Sequence, residues 1–125
     1  MKKVLSIALV LVMVLAIFAG CGSSAPAASE AKTIYVTGPT PDHGWTAQAG
    51  AYAEKKVADI NAEGKYEAKV ISSADPANQI SQVEDIIENE SAKSIVILPQ
   101  DNTLEATMKK LANSGIPFVM FDRVI

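Results

Sequence analysis

The chain has 125 residues, 49% hydrophobic and 20% charged, with 11 basic against 14 acidic side chains and a formal net charge of -3. That acidic balance supplies no cluster of Lys and Arg for nucleic acid or anionic headgroups to bind. Cys21 is the only cysteine, so an internal disulfide is excluded.

The chain opens with Lys2 and Lys3, an apolar run from Val4 to Phe18 broken only by Ser6, then Ala19-Gly20 and Cys21. A positive start, an apolar middle and small residues before a processing point are the marks of an export signal. A cysteine directly after the small pair resembles the lipobox of bacterial lipoproteins, where the thiol is acylated and becomes the new N-terminus. Phe18 departs from that pattern, which prefers Leu. The resemblance implies a lipoprotein signal peptide over residues 1–20 and a mature protein held by Cys21 at the outer face of the cytoplasmic membrane, or in the periplasm. Two other readings stay open. The run is about as long as the shortest spanning helix and could remain uncleaved in the bilayer, and a lone exported cysteine could be a free thiol or pair between chains. Losing Lys2 and Lys3 with the signal makes the mature chain more acidic still, so membrane association would come from lipid and not from charge.

Residues 21–31 are small and polar with almost nothing to bury, and read as a flexible tether. Thr33-Ile34-Tyr35-Val36-Thr37 is a β-rich run ended by Gly38-Pro39 and Pro41. A helix is expected from about Gly44 to Asn61, with Trp45, Ala49, Tyr52, Ala53, Val57 and Ile60 on its apolar side and Gly64 just past its end. Tyr66 to Ser72 reads as the second strand. Asp75-Pro76 opens the second helix with an N-cap and a first-turn proline, and Ile80, Val83, Ile86 and Ile87 form its apolar stripe. Ser94-Ile95-Val96-Ile97-Leu98 is nearly all apolar, as a parallel strand covered on both faces requires. Asp101 or Asn102 can cap a third helix, with Leu104, Met108, Leu111 and Ala112 facing inward and Ser114-Gly115 ending it. Pro117 to Phe121 is the fourth strand.

Strand and helix alternating in this way predict an α/β fold, a parallel sheet with βαβαβαβ crossovers. Such sheets bind ligands outside the carboxyl ends of their strands. Four segments fall there: Pro39 to Trp45, Ser72 to Asp75, Pro99 to Asn102, and Asp122-Arg123.

Asp42-His43-Gly44-Trp45, Asp75 followed by Gln79-Ile80-Ser81-Gln82, Leu98-Pro99-Gln100-Asp101, and Gly115-Ile116-Pro117 leading to Phe121-Asp122-Arg123 occur in that order. Together they resemble the first lobe of the ribose- and galactose-type substrate-binding proteins of ABC sugar transporters, the type I periplasmic binding fold. The resemblance implies that Asp122 and Arg123 hold sugar hydroxyls. The chemistry suits that role, since a carboxylate accepts from two hydroxyls and a guanidinium donates a planar fork. It also implies that Trp45 could stack on a sugar ring while His43 or Asp42 bonds a hydroxyl beside it. Trp45 as ordinary core packing remains an alternative. Asp75 and Asp101 stand between capping helices and lining the cleft, whereas a solvated helix face accounts for Gln79 and Gln82.

His43 has no second histidine or nearby cysteine to complete a metal site. There is no glycine-rich phosphate loop, nucleophile elbow or evident carboxylate pair, so neither catalysis nor a cofactor is expected. The resemblance therefore implies a monomeric, lipid-anchored monosaccharide-binding component that delivers its ligand to an ABC permease. A sugar-sensing domain for a chemoreceptor or kinase is the alternative, and a lipid-anchored α/β enzyme a more distant one. Residues 32–125 would form an incomplete N-terminal lobe, the clamshell of that family needing a second lobe, so the chain reads as an N-terminal piece.

Overall fold

A computed structural model describes residues 33–89 and 91–125. Cys21 and the expected signal and tether lie outside them. Strand β1 (Thr33–Pro39) leads to helix α1 (Gly44–Glu63), β2 (Ala68–Ser73), α2 (Pro76–Glu88), β3 (Ala92–Ile97), a 3-10 turn (Asn102–Leu104), α3 (Glu105–Asn113) and β4 (Phe118–Met120). The four strands form one sheet in the order β2-β1-β3-β4, and every neighbouring pair is parallel. The α/β parallel architecture is that expected, with boundaries shifted by up to two residues.

Each helix end has a local cause. Gly64, at φ 68°, closes α1 by donating its N–H to the Asn61 carbonyl, a left-handed conformation that glycine adopts without a Cβ clash. The Asn61 side chain then bonds both backbone groups of Ala68, at 2.7 and 3.0 Å, fixing where β2 begins. Asp75 caps α2 by accepting from the Asn78 N–H at 2.8 Å, with Pro76 in the first turn. Asp101, not Asn102, caps the 3-10 turn, accepting from the Thr103 N–H at 2.8 Å.

The main core lies on one face of the sheet. Ile95 and Ile97 of β3 meet Val83 and Ile86 of α2 and Leu104, Met108 and Leu111 of the third helical segment. Each such side chain withdrawn from water contributes about 1.5–3 kcal/mol before chain entropy is counted. Glu84 and Lys110 link α2 to α3 across the outside of this layer.

Among the described residues, the opposite face carries only α1, and there two expectations are corrected. Tyr52 is 73% exposed, because it falls about 100° from Ala53 around the helix while the sheet is met by the stripe through Ala53, Val57 and Ile60. Val96 is only partly covered, so β3 is fully buried on one side and not both. On α3, Ala112 is exposed and Thr107 occupies the inward position instead. Gly50 allows α1 to approach the preceding loop, since a Cβ there would stand 2.5 Å from Pro41 Cβ.

Candidate functional site

From β1 the chain moves to β2 on one side, and from β2 it crosses back to β3 on the other. The two connections diverge between β1 and β3, which leaves a crevice at their carboxyl ends. Three segments meet there around a recess of about 210 Å³. Pro39, Trp45 and Thr46 come from the end of β1 and the mouth of α1, Leu98, Pro99 and Gln100 follow β3, and Asp122 and Arg123 follow β4. Arg123 and Gln100 also border a second, adjoining recess of about 580 Å³ that Asp101 lines.

Of the residues singled out in the sequence, Trp45, Asp122 and Arg123 are therefore brought to one recess, and Asp101 to its neighbour. Trp45 is 50% exposed, with its ring at the surface and not packed away as core. Asp122 sits at φ 65°, in the left-handed region, inside a three-residue turn closed by the Arg123 N–H on the Phe121 carbonyl at 2.8 Å. Asp is among the few residues that tolerate this conformation, and strained backbone of this kind concentrates where a side chain must be aimed. Two hydrogen bonds from Thr103, one from its hydroxyl and one from its amide, hold the Asp101 carboxyl below the usual carboxylate range, and the charge of Arg123 adds to this.

Asp42 and His43 pair with each other at 2.5 Å on the exposed loop before α1 and line neither recess. Asp75 is occupied as the α2 cap. Among the described residues, no group of three or more His, Cys, Asp or Glu is placed to hold a metal ion.

The solvated-face reading of Gln79 is overturned. Gln79 is 0% exposed and spans the turn after β3, donating from Nε2 to the Leu98 carbonyl at 2.9 Å and accepting from the Gln100 N–H at 3.0 Å. Gln100 in turn donates from Nε2 to the Ser73 carbonyl at 2.9 Å, reaching across the end of β1 to the end of β2. Gln82, half-buried, accepts from the Ser73 hydroxyl at 2.6 Å. The sequence signal was slight: three glutamines, at 79, 82 and 100, all beside strand ends.

The crevice, with one aromatic face, one carboxylate and one guanidinium around an open recess, can hold a small polar solute by stacking and by charge-assisted hydrogen bonds. A sequence model of the periplasmic binding protein domain matches residues 34–125, from the second residue of β1 to the last residue of the chain. No curated protein matches the chain. With its matching sequence, its parallel α/β layer and its crevice at the strand ends, the chain belongs to the periplasmic binding protein domain family, a family of extracytoplasmic domains that bind small molecules.

Proposed function

We propose that the protein is the sugar-binding component of an ABC transporter, capturing a monosaccharide outside the cytoplasmic membrane and delivering it to a permease. The observation that carries this reading is the meeting of Trp45, Asp122 and Arg123 at one recess. An indole covers the apolar face of a sugar ring, a carboxylate accepts from two neighbouring hydroxyls, and a guanidinium donates to two oxygens. The recess is open on one side, which fits capture between this lobe and a second, with closure driven by contacts made only in the closed form. Acylation of Cys21 holds the protein at the membrane in this reading, with residues 21–31 as the tether.

Titration calorimetry of the full-length protein against a panel of pentoses and hexoses tests the ligand. Asp122→Asn keeps a side chain that accepts the left-handed backbone but replaces one of two charged acceptors with a donor. Hydrogen bonds to charged groups are worth about 1.5–3 kcal/mol, so affinity falls by about ten-fold to a hundred-fold. Unchanged affinity removes the Asp122-Arg123 pair from the site, and binding of no sugar removes the assignment. Cys21→Ser moves the protein from the membrane pellet to the soluble fraction. Retention in the pellet points instead to an uncleaved span.

A further inference from the structure

We infer that Gln79 is a positioning residue that sets affinity at a recess it does not line, by acting as the template for the turn Leu98-Pro99-Gln100. The inference rests on the reading of that recess as the ligand site. Strand β3 makes its last ladder bond when the Leu98 N–H donates to the Thr37 carbonyl at 2.9 Å, after which Pro99 brings no N–H at all. The Leu98 carbonyl and the Gln100 N–H are left at the point where sheet pairing stops. Both are satisfied by the Gln79 amide, whose oxygen and nitrogen match that acceptor and donor two residues apart.

Gln79 is itself held firmly. It lies in the first turn of α2, where its N–H donates to the Asp75 carbonyl at 3.1 Å, and its side chain is wholly buried. The turn it shapes presents Pro99 and Gln100 to the recess beside Asp122 and Arg123. From Gln100 the array continues to the Ser73 carbonyl, which also accepts from the Thr40 N–H at 3.0 Å. One polar array thus fastens the carboxyl ends of β1, β2 and β3 before any ligand arrives, and a recess held in its binding geometry loses less entropy on binding. Glutamine is specific here: Asn is one methylene short, Met offers no hydrogen bond, and an ionised Glu has no donor for the Leu98 carbonyl.

A protonated Glu, however, carries the same donor and acceptor pair, and burial raises the pKa of a carboxyl group. The test uses Gln79→Met and Gln79→Glu in the full-length protein, with D-galactose and D-ribose as probes, and Val83→Ala one turn along α2 as a core control. At temperatures where all remain folded by circular dichroism, Gln79→Met loses about ten-fold or more in affinity and Val83→Ala does not. Gln79→Glu binds like the wild type at pH 5 and weakens toward pH 8 as its carboxyl ionises. Asp75 at the start of α2, and Asp101 and Arg123 at the recess, are common to both proteins, so the wild-type profile accounts for them. Hydrogen exchange of the Gln100 amide gives a readout without ligand: protection falls in Gln79→Met and is retained in Gln79→Glu at pH 5. Unchanged Gln100 protection in Gln79→Met overturns the positioning role, as does sugar affinity insensitive to both variants. A wild type that binds neither sugar while the exchange pattern holds counts against the choice of ligand and leaves the template intact.

Discussion

Asp122 shows how much one residue can carry that its neighbours in sequence do not disclose. Its identity and its place after a strand mark it as a candidate ligand group, but its φ of 65° follows from the tight turn between Phe121 and Arg123. At that angle glycine is unhindered and alanine is strained by its Cβ. Asp122→Gly should therefore be more stable than Asp122→Ala by about 1 kcal/mol in denaturant unfolding, while both remove the same carboxylate from the recess. Equal stabilities would mean that the turn relaxes without cost. Gln79 is the complementary case. Its burial was not legible, because a polar residue on an amphipathic helix reads as a solvent-facing one until the Leu98 and Gln100 backbone groups are seen to need it.

At the scale of elements, the sequence was most informative where chemistry is local. Asp75-Pro76 announced the start of α2, and Gly64 the end of α1, because caps act on the nearest turn. It was least informative where the neighbour decides. Nothing in the periodicity of α1 says which of its apolar residues meet the sheet, so Tyr52 read as buried and is exposed. The α2–α3 contact makes a prediction of its own. The Lys110 ammonium, helped by the Thr107 hydroxyl, holds the Glu84 carboxyl below the usual glutamate range. Its folded pKa is thus below the unfolded value of about 4.3. The stabilisation is fully present above that value and is lost as pH falls through the lower, folded one. Glu84→Gln should lower stability slightly at pH 7, flatten the acid limb of the profile, and match the wild type once the pH has fallen below the folded value. An acid limb identical to wild type would show that the pair adds nothing to folding.

For the whole molecule, the order β2-β1-β3-β4 determines both the site and the bare surface. Crossovers that diverge between β1 and β3 open the crevice, and among the described residues the same divergence puts α2 and α3 on one face and α1 on the other. The parallel layer was legible from alternating runs, and the strand-end rule picked out four segments, of which three border the recess and Ser72 to Asp75 does not. Their grouping into one recess, with Asp42, His43 and Asp75 left outside it, was not legible, since it depends on where the loops settle. On the thinly covered face Val119 of β4 is 61% exposed, while its neighbours Phe118 and Met120 pack against the core on the other side. Exposed apolar groups at a sheet edge favour self-association. Val119→Lys should leave the circular dichroism spectrum of this chain unchanged and raise its solubility, and a collapse of the spectrum would show that Val119 is needed for folding.

Trp45 carries one more consequence. It is the only tryptophan among these 125 residues, and it stands half-exposed at the recess. A solute settling over that indole would displace the water around it, and the emission maximum would move to shorter wavelength as the surroundings become less polar. The chain thus contains its own optical reporter, able to follow occupancy in real time without an added dye.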